Sequence, residues 1–302
     1  MRDLGKIILA LSVVVLVASS CGGPTSAAAS GRIKVVAGQN FWGSIATQLG
    51  GSRASVQSVV SDPNADPHEY ETNTNDARAF ADANFVILNG AGYDNWANKL
   101  LSANPNSQRK VLVAADLLGK KAGDNPHFWY NPDYVTRMAD QVTADYRSID
   151  PADAAYFDQQ RAAFTAALQP YTKRLAEIKA KFSGVSVGAT ESIFVYMATY
   201  LGLNLISPPP FMDAVAEGND PPASAVISFQ NQITGKQVKV LVYNVQTATA
   251  VTTNVKHLAA LANIPTVGVS ETLQPESATF QDWQLSQLLA LQNALNASAL
   301  SG

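Results

Sequence analysis

Two short segments contain two of the chain's three histidines, and both have the residue types of a metal-binding turn. His68 lies in DPHEYE (66–71), and His127 lies in NPHFWYNP (125–132). Each histidine follows a proline, and each segment is expected to form a turn near the end of a predicted strand. Neutral imidazole is the commonest protein ligand for transition metals. Two imidazoles on stiff, proline-bounded turns therefore suggest one metal site assembled from distant parts of the chain.

Two glutamates complete a candidate set of four ligands. Glu191 follows a predicted strand in GATESIF, and Glu271 follows another in VGVSETLQP. Each has a simpler explanation, since Glu191 would also stabilise a helix start and Glu271 would also fit an ordinary loop. A single histidine in a Pro-His turn is likewise more often structural, but two such turns facing one cleft favour a metal site. The third histidine, His257, lies on a predicted helix, and we assign it to the surface or the edge of the core.

Alternating strands and helices are predicted to bring these side chains together. Short β-rich runs alternate with helical patterns in both halves of the chain, which is typical of parallel sheets. The strands are predicted at 33–37, 55–60, 85–89, 110–113, 186–189, 239–243 and 266–269. The proline-rich segment 208–224 is predicted to be a loop. Ligands of open α/β sheets bind beyond the carboxyl ends of the strands, so the site is predicted in a cleft between the two halves.

Aromatic side chains are expected around the candidate ligands. Residues 128–130 (FWY) directly follow His127 and are predicted to pack beneath the site. Tyr93 and Trp96 are predicted either to pack there as well or to cover the cleft.

One long helical pattern separates the two halves. Residues 151–182 carry an apolar stripe with alternating spacings of four and three, as on one face of a helix. Pro170 lies inside the stripe and should kink the helix, because an interior proline costs about 3 kcal/mol. The predicted fold is α/β, with two Rossmann-like lobes at 32–150 and 184–302 joined by one long helix at 151–183.

The N-terminus has the pattern of an export signal. Basic residues precede an apolar run at 7–18 that is too short to span a bilayer comfortably. The only cysteine, Cys21, resembles the lipid-acceptor cysteine of a bacterial lipoprotein signal, although an ordinary secretory signal with an incidental cysteine is the alternative. We expect a signal peptide at 1–20 and, at 21–31, a small-residue linker that lets the folded protein stand off a membrane.

The composition argues against one broad class of function. The chain has 302 residues, of which 47% are hydrophobic, and this is ample for two lobes with cores of their own. The formal net charge is −3 and there is no basic run, so the electrostatic footprint of a nucleic-acid-binding protein is missing.

The motifs together resemble those of the metal-binding solute-binding proteins of zinc and manganese ABC transporters, the group with a rigid helical backbone between its lobes. DPHEYE resembles the first ligand motif of this family, and NPHFWYNP resembles the second, with Asn125 where Asp is usual. ATESIFVYMATYLGL (189–203) resembles the third motif, and VSETL (269–273) the fourth, with Glu where Asp is usual. The resemblance covers nearly all of the mature chain. It assigns the metal ligands to His68, His127, Glu191 and Glu271.

The resemblance implies a receptor that is not an enzyme. Such a protein is lipid-anchored on the extracytoplasmic face of the cell membrane, captures one divalent metal ion, Mn²⁺ or Zn²⁺, and delivers it to an ABC permease and its ATPase for import. We expect a monomer. Manganese-type members carry Glu at the third motif, so Glu191 favours Mn²⁺, and a bidentate glutamate can raise the coordination number beyond four. Zn²⁺ and Fe²⁺ also suit a mixed imidazole and carboxylate set.

Three other functions are compatible with parts of the sequence. A secreted zinc-dependent hydrolase would use His68 and His127 as ligands and Glu191 as general base, but the HExxH spacing is absent. A receptor of related fold for an iron chelate or haem would need a wide pocket. The third is a surface adhesin, a side role sometimes ascribed to the family that the motifs resemble.

Overall fold

Two four-stranded parallel sheets organise the chain, one in each half. A computed structural model describes residues 31–63 and 70–300. The predicted signal peptide, Cys21 and most of the predicted linker lie outside the described residues. His68 also lies outside them, within the segment 64–69.

The two sheets have the same topology. The first contains β1 (Ile33–Gln39), β2 (Ala54–Val60), β3 (Phe85–Leu88) and β4 (Lys110–Val113). The second contains β5 (Ser186–Ala189), β6 (Asn204–Leu205), β7 (Val240–Asn244) and β8 (Thr266–Val269). The strand orders are β2-β1-β3-β4 and β6-β5-β7-β8, and all neighbours are parallel. All seven predicted strands are present. The eighth strand, β6, was not predicted, because its two residues are too few to show an alternating pattern of apolar and polar side chains.

Helices flank both sheets and connect them. The first half contains α1 (Asn40–Gly50), α2 (Thr74–Asp82), α3 (Trp96–Ala103), α4 (Ala114–Leu118) and α5 (Pro132–Ile149). The connection consists of α6 (Ala154–Ala167) and α7 (Gln169–Phe182). The second half contains α8 (Val195–Leu201), α9 (Pro209–Ala216), α10 (Ala223–Thr234), α11 (Ala250–Leu261) and α12 (Phe280–Leu300). None of the helices in 31–63 and 70–300 is long and apolar enough to cross a membrane.

The loop prediction for 208–224 is wrong in its first part, because α9 lies within it. Pro209 and Pro210 occupy the first turn of α9. A proline is favoured there, since its missing N–H would have had no partner inside the helix. The first proline cluster therefore begins a helix, although the sequence analysis interpreted it as part of a loop.

The predicted connecting helix is present as two consecutive helices. The break falls at Leu168, and Pro170 lies in the first turn of α7, where the sequence predicted a kink. The predicted apolar stripe is buried along its whole length. Its members are Phe164, Leu168, Tyr171, Leu175, Ile178 and Phe182.

A continuous hydrophobic cluster runs through both sheets and the connecting helices. In the first half, α6 packs against α1 and α5, and the ring of Phe157 stacks on that of Tyr146 with centroids 5.2 Å apart. In the second half, α7 packs against α8 and α12, and the ring of Tyr171 meets that of Phe280 at 6.4 Å. The connection is therefore part of the core. Close-packed interiors resist deformation, so we expect the two lobes to move little relative to each other.

Candidate metal centre

Three of the four predicted ligands meet in the cleft, at the carboxyl ends of the strands. His127 lies in the loop before α5, Glu191 follows β5 and Glu271 follows β8. The Nε2 atom of His127 is 3.2 Å from Oε1 of Glu271 and 3.6 Å from Oε1 of Glu191. One potential ligand atom from each of the three lies within 4.8 Å of the others, and all three side chains are at most 1% exposed. The structure therefore brings three of the predicted ligands together, and their role as metal ligands stays a prediction.

Asn125 fixes the orientation of the His127 ring. Its Oδ1 atom accepts hydrogen bonds from Nδ1 of His127 at 2.7 Å and from the His127 backbone N–H at 3.0 Å. Its amide donates to the Ser192 carbonyl in the other lobe at 2.7 Å, which establishes which atom of the side chain is the oxygen. The Nδ1 atom of the imidazole therefore carries a proton, and Nε2 faces the two carboxylates, where a metal ion would bind it. The unusual Asn of the second motif keeps the orienting role without a charge.

The aromatic residues after His127 belong to the core, and Trp129 packs directly against the candidate ligand. All three are buried, in a short 3₁₀ helix at Phe128–Tyr130. The ring of Trp129 stacks on that of Phe41 with centroids 3.8 Å apart and meets the His127 ring edge-on at 5.3 Å. Trp96 instead packs against the ring of Phe80, 6.0 Å away.

Tyr93 reaches the site from an unusual turn after β3. Residues 90–92 all have positive φ (77°, 54° and 96°), a conformation for which glycine is suited and alanine is not. The buried carboxylate of Asp94 accepts the backbone N–H groups of Asn89 and Gly90 at 2.6 and 2.8 Å and so closes the turn. The hydroxyl of Tyr93 then donates to Oε2 of Glu271 at 2.8 Å. The sequence marked Tyr93 as a neighbour of the site but not as a hydrogen-bond donor to a ligand.

Asn244 is a site residue that the sequence interpretation missed. Its amide nitrogen lies 3.0 Å from Oε2 of Glu191 and 2.9 Å from Oε1 of Glu271, and it donates to both. The residue ends β7, so the rule that placed Glu191 and Glu271 beyond strand ends would have found it as well. A single neutral side chain thus links the two candidate acidic ligands.

Without a cation, the burial of Glu191 and Glu271 beside each other is electrostatically unfavourable. Loss of hydration raises the pKa of the Glu191 carboxyl to about 8, and repulsion from Glu271 acts in the same direction. These effects outweigh the attraction of His127 and the hydrogen bond from Asn244. In addition, Oε1 of Glu191 is buried without a hydrogen-bond partner. A divalent cation would neutralise two carboxylates and bind this oxygen, so the donor set fits a transition metal.

A pocket of about 320 Å³ lies directly beside the ligands. Tyr93, Asn125 and His127 form part of its wall. Asp213 and Glu217 line it from the other lobe, and these acids make its surface negative. A larger groove of about 540 Å³ lies against β1, β2 and α2 and includes none of the three described candidate ligands. The acidic pocket therefore opens beside the candidate centre.

Residues 62 and 63, the last described residues before the segment that contains His68, are held by the other lobe. The side chain of Gln274 donates to the Pro63 carbonyl at 2.8 Å, and the Thr272 hydroxyl donates to the Asp62 carbonyl at 3.3 Å. Both donors closely follow Glu271 in the chain. Residues 62 and 63 thus contact residues that closely follow Glu271, a predicted ligand.

The protein has two similar α/β lobes, a connection that is part of their core, and a buried cluster of one imidazole and two carboxylates between them. These features define a two-lobed metal-binding receptor. Residues 35–294 match the family described as "ZnuA: Zinc-uptake complex component A periplasmic". The match covers most of the chain, and the protein belongs to this family.

Relatives and solved structures agree with this assignment. The chain is 27% identical over 222 residues to the "Manganese ABC transporter substrate-binding lipoprotein PsaA" of Streptococcus mitis, covering 67% of this chain and 70% of that protein. It is 26% identical over 215 residues to the "Iron ABC transporter substrate-binding lipoprotein MtsA" of Streptococcus pyogenes serotype M1, covering 64% and 66%. The Mn-bound periplasmic metal binding protein of Candidatus Liberibacter asiaticus has the same fold, with a TM-score of 0.71, 16% identity and coverage of 86% of this chain and 98% of that one.

Proposed function

We propose that this protein captures one divalent transition metal ion between its lobes, with His68, His127, Glu191 and Glu271 as ligands. The family to which it belongs supplies the metal-binding component of ABC uptake systems and is not enzymatic. The observation that carries the ligand assignment is the buried contact of His127, Glu191 and Glu271, whose ligand atoms lie within 4.8 Å of one another. His68 is proposed as the fourth ligand from its motif.

The size of the site supports a bare ion as the ligand. Ligand atoms this close together leave room for a metal ion but not for haem or an iron chelate. A zinc hydrolase would need a coordination position open to water and substrate, whereas these three side chains are at most 1% exposed. Zinc in the family description and manganese and iron in the names of relatives all fit the nitrogen and oxygen donor set.

Metal analysis tests the proposed function. Protein purified without chelators should contain about one equivalent of Zn²⁺ or Mn²⁺ per chain, as a single closed site requires. Metal-free protein should regain the same equivalent on titration and should melt at a higher temperature once loaded. A chain that takes up neither ion under these conditions would disprove capture.

Delivery and anchoring follow from the same assignment. The bound metal would pass to an ABC permease and its ATPase, and a lipid on Cys21 would hold the receptor, as a monomer, on the extracytoplasmic face of the membrane. The relatives that are named lipoproteins support the anchor. We expect Cys21→Ser to release the folded protein from the membrane fraction without changing its metal affinity. Retention of the variant in that fraction would contradict the lipid anchor.

The shared core predicts a small conformational response to the metal. Because α6 and α7 pack into both lobes, closure should be limited compared with a hinge made of flexible strands. Small-angle X-ray scattering of metal-free and metal-loaded protein should give radii of gyration that agree within experimental error. A clear contraction on loading would contradict a rigid connection.

A further inference from the structure

The coordination mode of the two glutamates can be derived from their hydrogen bonds. In Glu191, Oε2 accepts from Asn244 at 3.0 Å, whereas Oε1 is buried without a hydrogen-bond partner and lies 3.6 Å from Nε2 of His127. In Glu271, Oε2 accepts from the Tyr93 hydroxyl at 2.8 Å, and Oε1 lies 3.2 Å from the same Nε2. A metal bound to His127 would therefore meet the two Oε1 atoms, while both Oε2 atoms are held by hydrogen-bond donors. Oε1 of Glu271 also accepts from Asn244, at 2.9 Å, so only Oε1 of Glu191 is without a donor.

Asn244 maintains this arrangement from a fixed position. Its amide nitrogen reaches one oxygen of each glutamate, and its Oδ1 accepts the backbone N–H of Gln246 at 2.9 Å, which orients the amide. The side chain is 3% exposed and ends a central strand of the second sheet. For Glu191 to bind a metal through both oxygens, Oε2 would have to lose its hydrogen bond from Asn244 while it remains buried. Hydrogen bonds to buried charged groups are among the strongest in proteins, so rotation of the carboxylate is opposed.

We propose that Asn244 is a specificity-determining residue: it holds Oε2 of Glu191, as the Tyr93 hydroxyl holds Oε2 of Glu271, and by keeping the Glu191 carboxylate monodentate it favours a four-coordinate ion, Zn²⁺, over Mn²⁺. This inference rests on the proposed function and on the four ligands named there. Two imidazoles and two single carboxylate oxygens give the tetrahedral set typical of Zn²⁺. Mn²⁺ prefers more oxygen donors in an octahedral arrangement, which bidentate glutamates would supply. As a residue type, Glu191 favours Mn²⁺. The hydrogen bond from Asn244 to its Oε2 atom opposes this preference.

X-ray absorption spectroscopy of the wild-type protein tests the coordination mode without any variant. Metal-free protein is loaded with one equivalent of Zn²⁺ alone or Mn²⁺ alone. We expect four nitrogen or oxygen neighbours around Zn²⁺, as in other tetrahedral sites, and no expansion to six around Mn²⁺. Six neighbours around bound Mn²⁺ would overturn the inference but leave the proposed function intact. Failure to bind either ion would overturn the proposed function and the inference with it.

Competition between the two ions tests the role of Asn244 itself. In Asn244→Ala the ratio of the Zn²⁺ affinity to the Mn²⁺ affinity should fall about tenfold. This is the lower end of the losses in metal affinity that follow mutation of residues that support metal ligands. Thr247→Ala is the matched control, since it removes only the contact between the Asn244 amide and the Thr247 hydroxyl at 3.0 Å. The control should keep the wild-type ratio. An unchanged ratio in folded Asn244→Ala would overturn the assignment of Asn244, and so would an equal fall in the control.

Discussion

His127→Ala should lower the affinity for Zn²⁺ or Mn²⁺ by more than about 100-fold, which exceeds the usual effect of losing a residue that only supports a ligand. The change removes the one described nitrogen ligand and leaves Glu191 and Glu271 close together without the imidazole between them. Calorimetric titration of the metal-free protein measures the affinity. The gain in melting temperature on loading should shrink in parallel, because a ligand stabilises the folded state according to its affinity.

His257→Ala provides the matched control for this experiment. His257 is exposed on α11, outside the His127, Glu191 and Glu271 cluster, and its loss should leave both metal affinity and melting behaviour unchanged. His68→Ala should behave like His127→Ala if the fourth ligand is assigned correctly. Wild-type affinity in both His68→Ala and His127→Ala would show that the ligands are misassigned.

The metal-free protein should lose stability as the pH rises from about 5 to 8. The pKa of Glu191 is raised by burial to about 8, so the folded state keeps a proton that the unfolded state has already released. Stability from a raised pKa is fully present below the unfolded pKa and disappears as the pH passes the folded pKa. One such proton changes the free energy of unfolding by at most about 1.4 kcal/mol per pH unit. Denaturant titrations at a series of pH values measure the slope.

Metal should reverse this dependence. Binding requires the deprotonated carboxylate, so loading releases a proton and the metal-induced stabilisation should grow as the pH rises. Glu191→Gln keeps the shape of the side chain but cannot titrate, and its metal-free form should show a flatter pH profile than the wild type. If the wild-type and Glu191→Gln profiles coincide, the buried carboxyl is not the source of the effect.

The positions of Glu191 and Glu271 were predictable from the sequence because strand ends determine them. Seven strands were recognisable from short apolar runs, and Glu191 and Glu271 directly follow two of them. Parallel strands place their carboxyl ends at one edge of a sheet, so residues far apart in sequence converge there. The same reasoning applied to the end of β7 would have identified Asn244.

Other features depended on geometry that residue types do not reveal. The hydrogen bond from Tyr93 to Glu271 exists because a turn with three consecutive positive φ angles directs the tyrosine toward the other lobe. Which carboxylate oxygen faces His127 is determined by contacts of about 3 Å between side chains that follow separate strands. The start of α9 was missed because prolines both break helices and begin them.

A crystal structure of the metal-loaded protein, with anomalous diffraction at the absorption edge of the metal, tests the central claim most directly. The account predicts one anomalous peak about 2.0–2.2 Å from Nε2 of His127, Oε1 of Glu191, Oε1 of Glu271 and an imidazole nitrogen of His68. A metal peak elsewhere, or a peak at this place without contact to His127 and Glu191, would contradict it.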